Sequence, residues 1–338
     1  MSAIQVVIPD IPNIEGFSFR SIKGVEDADA LYAVHTGRIA YDKVDLSLHH
    51  EDMPSLEKLR SFLSQSVTAK EQDQWLVAQI YERVVGYSQI ESWHEEDGVW
   101  VYFMGGWVLP EWRGKGIGSA MLHWGEAMAR QSAALQHPNE RFEVSANATS
   151  TEQDATAFLL NEGYYVGFTS LEMRFDISTV LPGLTSLPDN IEVRPVLPEH
   201  YPQIISSIIE CYQNAFFENR FRDDFDRVAY YTAELQKPKY DPRLWHVAWD
   251  GDEVVGQVFM VKEDDQVCVN QVSIRPAWRR KGLARVLLIR ALQDVLERGE
   301  KLIWLDTFGE YQTRAMDLYK NLGFHVVKEF QRYRKSAT

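Results

Sequence analysis

Cysteine is almost missing from this chain: Cys211 and Cys268 are the only two in 338 residues. Two thiols cannot build a disulfide framework or a cysteine-rich metal site, and they suit a reducing compartment, so the cytosol is the expected location. Long apolar runs are missing too. No stretch reaches the roughly 20 residues that cross a bilayer, and residues 1–13 carry Asp10 and two prolines where a secretory leader has a basic start and an apolar centre. Secretion and membrane insertion are therefore not expected. The third absence is a surplus of positive charge. The formal net charge is −14, which argues against a nucleic-acid binder, whose phosphate contacts need basic surface. The deficit is lopsided: up to residue 180 there are 13 Lys and Arg against 26 Asp and Glu, and beyond it 22 against 23. An acidic first half would steer a cationic acceptor, and it serves equally well as a solubility device.

What the chain does have is apolar and aromatic material, 45% and 12% of its residues, enough for packed interiors rather than disorder. At roughly 150 residues per domain, its length suggests two of them. A repeat supports that division. Pro110-Glu111-Trp112-Arg113-Gly114-Lys115-Gly116-Ile117-Gly118 is matched 166 residues later by Pro276-Ala277-Trp278-Arg279-Arg280-Lys281-Gly282-Leu283-Ala284. The flanks match as well: Val84-Val85-Gly86 answers Val254-Val255-Gly256, and ATAFLLNEGY from Ala155 answers AMDLYKNLGF from Ala315. Each copy thus holds one ordered set of landmarks. Between them, residues 177–190 (ISTVLPGLTSLPDN) are rich in Pro, Gly, Ser and Thr and read as a linker. The expected division is an N-terminal domain over 1–178, a linker over 179–189 and a C-terminal domain over 190–338.

The second copy shows its elements clearly. Residues 191–197 alternate as a strand, and residues 201–217 and 223–236 have helical apolar spacing. Strand-like runs follow over 244–249, 254–261 and 267–274, separated by Asp-Gly and Asp-Asp pairs. A helix is predicted over 282–298, a strand over 302–308, a short helix over 313–322 closed by Gly323, and a last strand over 324–333. That order describes an α/β fold, a mixed α+β sheet with helices on its faces, built twice in tandem.

In each copy a strand runs into a basic, glycine-containing turn and then straight into a helix. Such a junction leaves the amide N–H groups of the helix's first turn without intrahelical partners, at the positive end of the macrodipole, and so favours an anion. Gly282 has no Cβ to keep oxygen atoms off the main chain, Ala284 keeps the next contact small, and Arg279, Arg280 and Lys281 add positive charge. A diphosphate would suit the junction. Neither copy has the Gly-x-x-x-x-Gly-Lys-Ser/Thr of a P-loop, and a dinucleotide turn would need Gly-x-Gly-x-x-Gly after the first strand, not the fourth. A basic solvated helix start is the plainer reading of one copy; the same strand, turn and helix found twice weighs against it.

Here the sequence resembles the GNAT acetyltransferase superfamily, whose acyl-CoA signature is Arg or Gln, two residues, Gly, one residue, then Gly or Ala. Arg113, Gly116 and Gly118 fill it in the first copy, and Arg279, Gly282 and Ala284 in the second. With the flanking elements and the later Leu-Tyr-x-x-x-Gly-Phe segment in family order, the likeness takes in nearly the whole chain. The tandem is similar to that of the mycothiol synthase-like two-domain members. The resemblance implies an acyl-CoA-dependent N-acyltransferase, with acetyl-CoA as donor and no metal. It implies that the main chain of Val272, Ser273 and Ile274, or of Gly106, Trp107 and Val108, pairs with the pantetheine arm. The diphosphate would then lie on the main chain of Arg279, Arg280, Lys281, Gly282, Leu283 and Ala284, or of Arg113, Gly114, Lys115, Gly116, Ile117 and Gly118. His49, His50, Glu51 and Asp52 form the one ligand-like cluster and read as a polar loop, since adjacent positions rarely converge on one ion.

Acyl transfer from a thioester to an amine needs a neutral amine, a stabilised oxyanion and a proton for the departing thiolate. By the resemblance, Tyr319 supplies that proton, because a phenol with a reference pKa of about 10 stays protonated at neutral pH. Without the motif, a Tyr on an amphipathic helix is ordinarily core. Aligning Gly163 with Gly323 sets Leu159 opposite Tyr319, so the C-terminal copy is the expected catalyst, and the first copy can bind an acyl-CoA without turning it over. Where many members place a carboxylate on the fourth strand, Asn270 and Gln271 stand. The base is then Asp306, a water chain, or no residue at all if the acceptor arrives neutral. The family fold further implies an oxyanion donor from the main chain of the splayed fourth strand. Acceptor residues are expected on the first two helices of the second copy, among Tyr212, Phe216, Phe217, Tyr230 and Tyr231, although aromatics at helical spacing also read as core. The expected reaction is acetylation of a primary amine on a small molecule. The alternatives are a non-catalytic acyl-CoA sensor or scaffold and a protein or peptide N-acetyltransferase. Two similar domains can bury their open faces on each other, so a monomer is expected.

Overall fold

The computed structural model describes every residue except 1–6, 52, 67–73, 96–97, 184–185, 213–225, 264–265, 310–314 and 337–338. The elements of the first half are β1 (Phe17–Arg20), α1 (Ala28–Asp42), α2 (Leu56–Ser66), β2 (Trp75–Ile80), β3 (Arg83–His94), β4 (Val99–Val108), α3 (Ile117–Gln136), β5 (Arg141–Thr149), α4 (Gln153–Asn161) and β6 (Tyr165–Phe175). Those of the second are β7 (Ile191–Arg194), α5 (Tyr201–Tyr212), α6 (Arg227–Leu235), β8 (Trp245–Asp250), β9 (Glu253–Glu263), β10 (Gln266–Ile274), α7 (Leu283–Glu297), β11 (Ile303–Phe308), α8 (Ala315–Lys320) and β12 (Phe324–Ser336). They form two compact units, Met1–Thr169 with Phe330–Thr338, and Ser170–Glu329.

In the first unit the strands run β1-β2-β3-β4-β5, and residues 330–336 of β12 pair antiparallel with β5. In the second they run β7-β8-β9-β10-β11, and residues 170–174 of β6 pair antiparallel with β11. One pair in each unit is parallel, β4 with β5 and β10 with β11. The mixed α/β fold therefore occurs twice, and β6 and β12 each contribute residues to both units. Each unit has its own core, which includes Leu31, Val77, Tyr87 and Ile117 in the first and Ile204, Val258, Phe259 and Leu287 in the second. Each such side chain stabilises its unit by about 1.5–3 kcal/mol through burial.

Local sequence accounts for much of this. On α7, Leu283, Val286, Leu287, Ala291 and Val295 fall three or four apart and are all buried, as the predicted helix over 282–298 requires. The repeated Val-Val-Gly also has a steric reason. A Cβ on Gly86 would lie 2.7 Å from the Trp107 carbonyl oxygen, and one on Gly256 3.2 Å from that of Ser273, so glycine lets β3 and β9 approach β4 and β10. The preceding valines then accept the amides that follow those strands, Leu109 N–H on Val85 and Arg275 N–H on Val255, both at 2.9 Å.

One predicted strand ends early, and one predicted helix lies partly outside the described residues. The strand over 191–197 stops at Arg194 because Pro195 has no N–H to continue the ladder. The predicted helix over 223–236 is described only from Arg227, where the Asp226 carboxylate accepts the Ala229 amide at 2.9 Å and caps the first turn. Among the described residues, no helix is long and apolar enough to cross a membrane.

Candidate active site

The repeated turns have nearly the same backbone. After β4, a short 3-10 turn (Pro110–Trp112) leads to an extended Arg113, to Gly114 at φ 70°, and to Gly116 at φ 87°, which heads α3. After β10, Pro276–Trp278 leads to an extended Arg279, to Arg280 at φ 67°, and to Gly282 at φ 80°, which heads α7. Among the described residues, no side chain caps either helix start. The left-handed φ explains the glycine at both heads, since a Cβ there costs about 1 kcal/mol or more. Among the described residues beyond its chain neighbours, Gly282 has no atom within 4 Å of where a Cβ would sit, and Gly116 has only Pro12 Cγ at 3.6 Å. With no side-chain cap and no crowding beside the glycine, the amides of the first helical turn suit an anion.

The motif arginines point elsewhere. Arg113 Nε donates to the Val108 carbonyl at 3.0 Å, and its two terminal nitrogens grip the Asp42 carboxylate at 2.6 and 2.7 Å. Arg279 Nε donates to the Ile274 carbonyl at 2.8 Å, and Nη2 to the Cys211 carbonyl at 2.9 Å. In each unit the guanidinium ties the strand end to the C-terminal end of the first long helix, α1 or α5. Arg280 and Lys281 are further exposed basic groups at the second turn. The first turn has Lys115 exposed and acidic company as well: Asp154 lies 3.8 Å from Arg113 and accepts the Tyr41 hydroxyl at 2.8 Å.

Beside each turn the parallel strands part. β4 pairs with β5 only as far as Phe103 and Ser145. In the wedge beyond lies a cavity of about 700 Å3, lined by Gly106, Trp107 and Val108 on one side, Ala146 and Asn147 on the other, and the Arg113, Gly114, Gly116 and Gly118 turn at its end. Leu159 also lines it and is buried. In the second unit β10 pairs with β11 only at Val267 and Cys268. Val272, Ser273 and Ile274 keep their partners on β9 and have no strand partner on the opposite side among the described residues. The register between β9 and β10 shifts between Val269 and Gln271, so Asn270 sits in a bulge that takes its peptide out of the ladder. The register of β3 and β4 has no such shift.

Tyr319 stands on α8, 8% exposed, with its ring edge-on to Phe324 at 5.9 Å. Burial, with a smaller contribution from Cys268, pushes its hydroxyl up to about 12. It is therefore a protonated donor at neutral pH. Tyr212 is also raised by burial, with Tyr231, Tyr319, Cys211 and Tyr240 adding to the shift. These phenols share one region of the second unit. Of the other acceptor candidates, Tyr230 is exposed, and Phe216 and Phe217 lie outside the described residues. Asn270 is exposed at the bulge, whereas Gln271 is buried and donates to Ser273 Oγ at 3.1 Å. Asp306 is exposed on β11, opposite Glu172 of β6.

Sequence reasoning did not find Tyr240, whose hydroxyl lies 3.2 Å from Asn270 Oδ1 and 3.5 Å from Glu234 Oε1. It lies outside every helical or strand pattern, so periodicity carried no signal for it. Of the polar loop at 49–52, Asp52 lies outside the described residues, and no group of three or more metal-ligating side chains converges among those described.

Comparison with known proteins gives a consistent picture. Residues 203–324 match the Acetyltransferase (GNAT) family and residues 71–166 match an Acetyltransferase (GNAT) domain, together more than half of the chain. The chain is 24% identical to the mycothiol acetyltransferase of Thermobifida fusca over 245 residues, 65% of this chain and 70% of that protein. It is similar in fold to a GCN5-related N-acetyltransferase from Sphaerobacter thermophilus, with a TM-score of 0.70 at 20% identity over 98% of this chain and 97% of that one. A tandem GNAT protein from the clavulanic acid biosynthesis pathway superposes with a TM-score of 0.59 at 13% identity, over 95% and 99% of the two chains.

Proposed function

Since the chain belongs to the GNAT acetyltransferase family, with two such domains in tandem, and is thereby an acyl-CoA-dependent acetyltransferase, we propose that its second unit transfers the acetyl group of acetyl-CoA to a primary amine on a small molecule. The observation that carries this is the combination, in one unit, of a glycine-headed helix with no side-chain cap, a strand edge without a strand partner among the described residues, and a buried phenol. The diphosphate rests on the amides that open α7, and the pantetheine arm lies along Val272, Ser273 and Ile274. The neutral amine attacks the thioester carbon. The oxyanion takes a main-chain donor from the bulge at Asn270, where the peptide has left the ladder. As the carbon–sulfur bond breaks, Tyr319 gives its proton to the sulfur. The thioester supplies the activated acyl group, so the residues have only to position, neutralise and move protons.

A second reading concerns the first unit. Its cavity and its Gly114, Gly116 and Gly118 turn suit an acyl-CoA, while Leu159 offers no proton. In this reading the first unit holds the donor without transferring from it. A thiol-release assay with acetyl-CoA and a panel of amines tests the activity, and calorimetry tests the second reading: two equivalents of CoA per chain support it, one overturns it. The family and the soluble-amine reading are separable, because a protein acceptor would show instead as acetyl-lysine or an acetylated amino terminus on a partner.

A further inference from the structure

An amine that attacks the thioester at the β10 bulge must be held there and relieved of a proton, yet the bulge itself carries an amide, Asn270. A carboxylate reaches it from another element. Glu234, near the end of α6, turns Oε1 toward the Tyr240 hydroxyl at 3.5 Å, and that hydroxyl lies 3.2 Å from Asn270 Oδ1. The other carboxylate oxygen of Glu234 takes Lys237 Nζ, so Oε1 is the oxygen directed at the strand. Three oxygen atoms therefore converge, with one hydroxyl proton between two acceptors. A phenol can donate to only one of them at full strength, which leaves lone pairs facing a common point. A primary ammonium, with three N–H donors and a positive charge, satisfies such a point, whereas a neutral hydroxyl does not.

Resting on the function proposed above, we infer that Glu234, Tyr240 and Asn270 form the acceptor-amine site of the second unit, with Glu234 as the group that takes the amine's proton. The ammonium docks on Glu234 Oε1, Tyr240 Oη and Asn270 Oδ1. One proton passes from nitrogen to the Glu234 carboxylate, and the lone pair so freed bonds to the thioester carbon. The carbon–sulfur bond breaks, and sulfur leaves with the Tyr319 proton. The nitrogen sheds its second proton as the amide forms; this restores the phenol through solvent, and Glu234 returns its own proton to water. Tyr240 positions rather than exchanges: burial, then Glu234, raise its hydroxyl well above the usual phenol range. Cys268 contributes to the shifts of both Tyr240 and Tyr319, which sets the acceptor side and the acid beside the same length of β10.

The test uses the full chain, acetyl-CoA and four probes: propylamine, 1,4-diaminobutane and glucosamine, and hydroxylamine as a nucleophile largely unprotonated at neutral pH. Glu234→Gln keeps size and removes charge at a partly exposed position. The expected result is a loss of about tenfold or more in kcat/KM with the ammonium probes, a clearly smaller loss with hydroxylamine, and unchanged acetyl-CoA affinity by calorimetry. Tyr240→Phe should raise KM for the same ammonium probes with kcat less affected. If wild-type protein releases thiol but Glu234→Gln is unchanged, or loses ammonium and hydroxylamine turnover equally, the acceptor site is wrong while the parent reading stands. If wild-type protein releases no thiol with any of the four, the parent reading falls and this site with it.

Discussion

The two units share strand, turn and helix and differ in the side chains around them. In the first, the turn is built from Gly114, Gly116 and Gly118, and its arginine is locked to a buried carboxylate, with Asp154 nearby. In the second, Arg280 takes the left-handed position that Gly114 takes in the first, and among the described residues Arg279 is bound to carbonyl oxygens. The first unit has a straight β4 and Leu159; the second has a bulged β10 and Tyr319. A cradle for diphosphate is a backbone property and survives duplication easily. Proton transfer depends on individual side chains, and the proposed donor Tyr319 has Leu159 as its counterpart in the first unit.

The largest effect that could break this comparison comes from charge reversal in the cradles. Gly282→Glu puts bulk and negative charge where phosphate should lie, and turnover should fall to background; the matching Gly116→Glu should leave turnover in place and remove a CoA equivalent in calorimetry. Equal loss from both would mean that the units do not divide the work. Next come the motif arginines. Arg113→Ala removes two charge-assisted hydrogen bonds from Asp42, which is 1% exposed and keeps Arg38 at 3.5 Å, and should destabilise the first unit by about 2–3 kcal/mol, whereas Arg279→Ala, which frees two carbonyls, should cost about 1–2 kcal/mol. Denaturant unfolding of the two variants checks the ranking.

Tyr319→Phe should lower kcat by about a hundredfold with acetyl-CoA affinity unchanged. The folded-state shift to about 12 keeps the phenol protonated through pH 10, so wild-type turnover should show no alkaline limb from this group below that range. A limb near pH 10 that vanishes in Tyr319→Phe would contradict the assignment. The smallest effect is Arg280→Gly, which relieves a left-handed arginine and should stabilise the second unit by about 1 kcal/mol while slightly weakening acetyl-CoA binding. A loss of stability would mean that the side chain makes a compensating contact.

Much of this was readable in the residues. The Pro-x-Trp-Arg-x-Lys-Gly repeat located both turns, and the apolar spacing from Leu283 to Val295 located α7, because turn conformation and helix amphipathicity are set by neighbours within a few positions. The direction of Arg113 was not readable: its partner Asp42 lies 71 positions away, and only packing of α1 against the end of β4 brings them together. Asn270 and Gln271, adjacent in sequence, stood together where many family members place a carboxylate; the bulge separates them into an exposed residue and a buried one.

The sequence by itself determined that the chain is a duplicated mixed α/β fold with a glycine-headed helix in each copy, since those features are written in local pattern and in the sign of φ that a residue tolerates. Only the tertiary structure decided which strand segments complete each unit, with residues 330–336 serving the first and 170–174 the second. It also decided that Glu234 and Tyr240 stand at Asn270. Those outcomes depend on contacts tens to hundreds of residues apart, whose geometry exists only after the sheets and helices have packed.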